Sequence, residues 1–253
     1  MNASRILADL SQRWEQLEAD KGENLPRACT LTLVATAASK EDALNVRQTI
    51  GVLTHSHPCR AIVLRGEAGA ETSAEVFAEC WMPFGHHEQI CSEGIEIIAD
   101  PLDFAGVSGL IAGLRAADLP TVLWSREPVG AASVEALFPQ ADKLIFDTAT
   151  ALSPQQAIAY LRLLAKQGLR VADLHWARVT PWREAVSTLY EAKPFQVHSA
   201  RIVHTESDAS PGTLYVRAWL QSALPDVRIL VESCADPGPA RVQSITFETN
   251  LGE

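Results

Sequence analysis

A chain of 253 residues with 47% hydrophobic and 21% charged residues can build one large or two small domains, and its makeup is that of an ordinary globular protein. The formal net charge of −10 supplies no basic footprint for nucleic-acid phosphates or an anionic membrane surface, so neither partner is expected. No apolar run approaches the roughly 18 residues of a membrane span, and Met1 to Leu10 lacks a signal-peptide core; a cytoplasmic location is expected.

Residues 4–20 carry Ile6, Leu10, Trp14 and Leu17 at spacings of three and four, the pattern of an amphipathic helix. A strand follows at 29–34, and 40–54 returns to helix with Ala43, Leu44, Val46, Ile50 and Leu53 as its apolar set. Residues 60–64 are nearly all apolar, as strands of parallel sheets are. Strand, helix and strand at this spacing make a βαβ unit, expected to be right-handed. Two alternating runs, 74–82 and 89–99, flank a turn at 83–88 and read as an antiparallel hairpin.

A helix is expected at 102–117, with Gly106, Gly109 and Gly113 inside it as close-packing positions. Short apolar strands at 121–124 and 143–146 come next, then a helix at 154–167 with Ser153 as its cap. Beyond residue 192 the pattern is strand 196–204, helix 212–222, and strands 227–234 and 242–249, with a turn at Asp236-Pro237-Gly238-Pro239. The predicted class is α/β: a mostly parallel, Rossmann-like sheet with flanking helices, an antiparallel hairpin insertion and a C-terminal βαββ part. The expected domains are 1–192 for the α/β body and 193–253 for the βαββ part, either a small domain or a sheet extension.

Familiar catalytic motifs are missing. The sequence has no P-loop, no Gly-x-Gly-x-x-Gly after a strand, and no Gly-x-Ser-x-Gly elbow. Five cysteines at wide spacings, without a CxxC pair, argue against a disulfide framework or a zinc ribbon. They read as reduced, small apolar side chains, with Cys59 and Cys91 as a possible redox pair if close in space and at least one exposed. His55, His57, His86, His87 and Glu88 show none of the recognised metal-ligand spacings, so no metal is assigned. No cofactor is implied either. Glu93, Glu96, Asp100 and Asp103 cluster in sequence, but Glu96 alternates with Ile95 and Ile97 and reads as a solvated strand face. Asp142, Asp147 and Asp173 fall at strand edges, where open α/β sheets line ligand crevices.

The densest stretch is Asp173 to Glu184, DLHWARVTPWRE. Trp, Arg and His combine rigid contact area with fixed donors, the chemistry of interface centres. Thr180 and Pro181 suit a helix cap and first turn, with a strand or loop before them. Trp176 alternates with Leu174 as a packed residue would. Trp182, Arg178 and Arg183 fit a partner-facing or ligand-facing role as well as a structural one.

DLHWARVTPWRE resembles a signature of the OpcA family, the bacterial glucose-6-phosphate dehydrogenase assembly proteins. His57-Pro58-Cys59-Arg60 before Ala61 to Leu64, Cys91-Ser92-Glu93 with Ile95, and Leu119-Pro120-Thr121-Val122-Leu123-Trp124 resemble it too, in the family's order. The resemblance implies a non-enzymatic accessory protein that binds glucose-6-phosphate dehydrogenase and promotes its assembly or activation in the oxidative pentose phosphate pathway. Such an allosteric activator must prefer the active oligomer, because equal affinity shifts no equilibrium. The expected partner-binding residues are Trp176, Arg178, Thr180, Trp182, Arg183, His57 and Arg60. The chain is compact beside longer family members. The alternative is a sugar-phosphate or other small-anion binding protein or enzyme on a Rossmann-like sheet, with Arg178, Arg183 and Asp173 lining the pocket. The sequence leaves the oligomeric state open.

Overall fold

The structure is a computed structural model that describes residues 2–21, 29–54, 56–81, 90–151, 153–192, 196–205, 210–234 and 242–250. The predicted turns at 83–88 and 236–239, His55, His86, His87 and Glu88 lie outside the described residues. The chain forms two compact units, Met1–Phe146 with Leu164–Val171, and Asp147–Leu163 with Ala172–Glu253.

The elements run α1 (Ala3–Lys21), β1 (Leu31–Ala37), α2 (Lys40–Leu53), β2 (Cys59–Gly66), β3 (Ser73–Trp81), β4 (Ile90–Ala99), α3 (Phe104–Leu114), β5 (Thr121–Trp124), α4 (Ala132–Glu135) and β6 (Lys143–Phe146). Then come α5 (Pro154–Lys166), β7 (Val171–Asp173), α6 (Leu174–Arg178), α7 (Thr180–Ala192), β8 (Val197–His204), α8 (Pro211–Ala223), β9 (Arg228–Ser233) and β10 (Val242–Thr249). The strands of the first sheet lie in the order β3-β4-β2-β1-β5-β6-β7. Neighbours from β4 through β6 pair in parallel, and β3 pairs antiparallel with β4. The fold class is the expected one.

β1 and β2 are buried on both faces, which is why the centre of β2 reads as an apolar run rather than an alternation. Ile62, Val63 and Leu64 of β2 are fully buried, each stabilising the fold by about 1.5–3 kcal/mol. One face carries Leu33, Ala35, Ala37, Cys59, Ala61 and Val63, covered by Ala43, Val46 and Ile50 of α2. Ser39, in extended conformation, starts α2 by accepting from the Asp42 N–H at 3.1 Å.

Glu93 and Glu96 do not form a solvated face. Both are buried, Glu93 held by Arg60 at 2.6 Å and Glu96 by Arg65 at 2.9 Å, with Arg47 of α2 also reaching Glu96. The arginines that pair them come from neighbouring elements, a fact that alternation along one strand does not carry. Of the three helix glycines, Gly113 is the one packed closely: a Cβ there would meet the Ala3 side chain at 2.8 Å, whereas Gly106 and Gly109 face open space.

In the second unit β8 is central, antiparallel to β10 and parallel to β9. A parallel pair needs a crossover, and α8 supplies it. Ser210 caps α8 by accepting from the Thr213 N–H at 3.2 Å, with Pro211 in the first turn. The core gathers Val179, Ala200, Ile202, Val216, Leu220 and Ile229, with Trp182 and Trp219 packed against it.

Candidate functional site

The DLHWARVTPWRE stretch and the residues it touches all lie in the second unit. Asp173 ends β7 and starts α6, its Oδ1 accepting from the His175 N–H at 2.9 Å. Oδ1 also accepts from the Thr148 N–H at 3.2 Å, while Oδ2 accepts from the Thr148 hydroxyl at 2.6 Å and the Tyr215 hydroxyl at 2.7 Å. A buried carboxylate with four donors is fully satisfied. Burial, with the Asp173 carboxylate as partner, raises the Tyr215 phenol far above its ordinary range, so it remains a donor.

Asp147 follows β6 and takes Arg178 in a two-point bridge, at 2.6 and 2.7 Å. Burial pushes the Asp147 carboxyl up, but the Arg178 hydrogen bonds and the Ala149 N–H outweigh it and the net shift is downward. A lowered carboxylate stabilises the fold above its unfolded-state range, and that contribution is lost as pH falls through the lowered value. The two aspartates thus sit at the carboxyl ends of β6 and β7. Asp142, by contrast, precedes β6 and accepts from the Thr121 N–H at 2.7 Å.

Trp176 does not pack as a core residue. It lies on the helix α6 rather than on a strand, and it is 37% exposed. The Arg183 guanidinium stacks on its ring at 3.8 Å from the centroid, and Tyr215 meets it edge-on at 5.7 Å. Arg183 also donates to the Thr180 hydroxyl at 2.6 Å. Thr180 is therefore the first residue of α7, with its hydroxyl accepting from a side chain. Trp182 points the other way, into the core of the unit. The indole available to a partner is Trp176.

Of the remaining predicted residues, His57 is exposed in the first unit, and its N–H closes the end of α2 by donating to the Leu53 carbonyl at 2.8 Å. Arg60 is held there by Glu93 and by the Leu114 carbonyl at 3.0 Å. Cys59 is buried, and that burial, helped by Cys29, pushes its thiol up to about 12. The Cys91 side chain lies outside the described residues. Thiolate is the nucleophile, so in alkylation at pH 7.5 followed by mass spectrometry Cys59 is expected to label about tenfold or more slowly than half-buried Cys29 and Cys234.

Sequence reasoning missed Thr148 and Tyr215. They reach Asp173 from 25 and 42 residues away, and no local pattern announces such a meeting. The Asp before a short helix was a legible cap signal. A cavity of about 260 Å³ in this unit is lined by Val186, Tyr190, Val197, Trp219, Leu224 and Phe247 among others, and by none of Asp173, Arg178 and Arg183.

Two family models match the chain, and both are described as domains of a "Glucose-6-phosphate dehydrogenase subunit". The model of its N-terminal domain matches residues 51–163, and the model of its C-terminal domain matches 169–253. The chain is 28% identical over 141 residues to a Synechocystis protein named for the OxPP cycle as OpcA, covering 54% of this chain and 30% of that one. It is 23% identical over 177 residues to a Nostoc punctiforme protein of the same name, covering 66% and 38%. The chain thus spans well under half the length of the curated relatives it matches. Among solved structures, scyllo-inositol dehydrogenase from Lactobacillus casei aligns at 12% identity and a TM-score of 0.37, over 76% of this chain and 50% of that one, a likeness too low to carry an argument. With two models together covering most of its length, the chain belongs to the OpcA family of glucose-6-phosphate dehydrogenase assembly proteins.

Proposed function

We propose that this protein is a non-catalytic accessory protein that binds glucose-6-phosphate dehydrogenase and promotes its assembly or activation in the oxidative pentose phosphate pathway. Family membership supports the partner. The single structural observation behind the contact face is the exposed Trp176 ring, held rigid between Arg183 and Tyr215. A large ring whose orientation is already fixed loses little entropy when a partner covers it.

The polar groups around that ring favour a binding role over a reactive one. Asp173 has four internal donors, and both ends of Arg178 are engaged by Asp147. The proposed face comprises Trp176, Arg178, Thr180 and Arg183, with Trp182 supporting it from the core. His57 and Arg60 are proposed as a second contact, on the first unit.

The test is co-purification with glucose-6-phosphate dehydrogenase of the same organism, and assay of its activity with and without this protein. Stable association with raised activity is expected. Absence of both association and any change in activity would remove the reading. Trp176→Ala is expected to weaken the complex roughly thirtyfold, as loss of a ~2 kcal/mol interface anchor does. Because Trp176 is not a core residue, its circular dichroism and unfolding midpoint should stay near wild type.

A further inference from the structure

Open parallel α/β sheets take ligands at the carboxyl ends of the strands, where consecutive crossovers diverge to opposite faces. In the first unit that place is between β1 and β5: the chain leaves β1 through α2 to β2 on one side, and comes back through α3 to β5 on the other. Right-handed crossovers in opposite directions put α2 and α3 on opposite faces of the sheet. A dinucleotide would set its pyrophosphate against the start of α2, close to a glycine-rich turn, and its ribose against an acidic side chain at the end of β2.

The residues found there do not fit that group. The turn between β1 and α2 is Ala38-Ser39, without glycine, so its side chains keep a phosphate away from the backbone. Ser39 uses its hydroxyl on the Asp42 N–H. The Asp42 carboxylate then turns back and accepts from the Ala38 N–H at 3.1 Å. On its other side it is gripped by Arg126, which follows β5: Nε donates at 3.2 Å and Nη2 donates to the second oxygen. Arg126 is itself anchored, its N–H donating to the Thr36 hydroxyl of β1 at 2.8 Å. Glu41 adds a second negative charge in the first turn of α2, and half-buried Glu127 lies close enough to feel the Asp42 charge. At the end of β2, the carboxylate of Glu67 is paired with Arg65.

We infer that the Asp42 carboxylate is a built-in anion that fills the seat of a phosphate between β1 and β5, so that this sheet takes no dinucleotide at its switch point. The inference rests on this crevice alone and is independent of the partner assignment above. It makes the Asp42–Arg126 bridge the element that ties the start of α2 to the end of β5, the work that a bound nucleotide does in a filled crevice.

The test has two arms. Titrating the wild-type chain with NAD+, NADP+ and their reduced forms, followed by intrinsic tryptophan fluorescence, should give no saturable change; Trp124, next to Arg126, is a local reporter. Asp42→Ala should lower Tm by about 3 °C, the scale of one exposed two-point bridge in a chain of this size. Sodium formate, a carboxylate small enough to enter the vacated seat, should restore most of that loss in Asp42→Ala. It should act no more strongly on wild type, or on Asp42→Ala/Arg126→Met, than an equal ionic strength of sodium chloride. Asp42→Ser, which leaves room in the seat and suits the first turn of a helix, repeats the measurement if Asp42→Ala does not fold. Saturable dinucleotide binding by wild type would overturn the inference, and so would a formate effect equal in all three proteins.

Discussion

Asp173→Ala is expected to destabilise the protein by about 3–4 kcal/mol, and Asp173→Asn by only about 1–2 kcal/mol. The difference follows from which donor meets which oxygen. Oδ1 takes two backbone N–H groups, of Thr148 and His175, which cannot reverse their direction. Oδ2 takes two hydroxyls, of Thr148 and Tyr215, which can. Asparagine can keep its oxygen on the N–H side and present its amide nitrogen to the hydroxyls, which rotate to accept. Alanine leaves two N–H groups and two hydroxyls around a gap at a buried position. Urea unfolding followed by tryptophan fluorescence reads both variants, since Trp176, Trp182 and Trp219 all belong to the unit that Asp173 organises. Equal losses for the two would refute the assignment of donors to oxygens. Asp173→Ala should also weaken the dehydrogenase complex, because Tyr215 and the start of α6 both orient Trp176.

The second large effect is expected at Gly94. It lies opposite Phe77 in the antiparallel pair of β3 and β4, and a Cβ at Gly94 would fall 2.1 Å from two atoms of the Phe77 ring. The ring covers the glycine and is covered in turn by the Arg47 guanidinium, 3.9 Å from its centroid. Gly94→Ala therefore displaces Phe77 and with it the stack of Arg47, which also reaches Glu96. The expected cost is about 2–3 kcal/mol, at the upper end for overpacking. Phe77→Leu should recover part of it in the double variant, and a coupling energy of about 1 kcal/mol or more in the double-mutant cycle is the expected readout. Additive losses would show that the ring and the glycine are independent.

Much of the fold was legible, and for stated reasons. β5 and β6 match the expected strands residue for residue because Thr-Val-Leu-Trp and Lys-Leu-Ile-Phe are short, largely apolar runs bounded by turn residues, too short to make a helix. The βαβ unit and the C-terminal βαββ order were written in the switch between two-residue and helical periods. The site was harder. Leu174 to Arg178 is five residues long, too short for any period, and alternation with Leu174 made Trp176 look packed when it sits on a helix and faces solvent. Trp182, for which the sequence left a partner-facing and a structural role equally open, packs against the core of its unit. Glu96 looked solvated because its partners Arg65 and Arg47 arrive from another strand and a helix. Side chains that meet across 42 residues, as Asp173 and Tyr215 do, leave no mark on local sequence.

The division into units also constrains how the molecule can be made. The first unit takes residues 1–146 and then 164–171, and the second takes what lies between and after them, with α5 shared by both. The backbone therefore crosses from one to the other three times, and a single cut in the gene cannot yield either unit whole. On the ribosome, 146 residues of the first must wait for a stretch that emerges some two dozen residues later. The sheet of the second has its earliest strand, β8, at its centre and β10 as one flank, so it closes only after β10 has emerged. Fragments designed to isolate the Trp176 face would have to carry residues 147–163, joined to residue 172 by a rebuilt connection in place of 164–171.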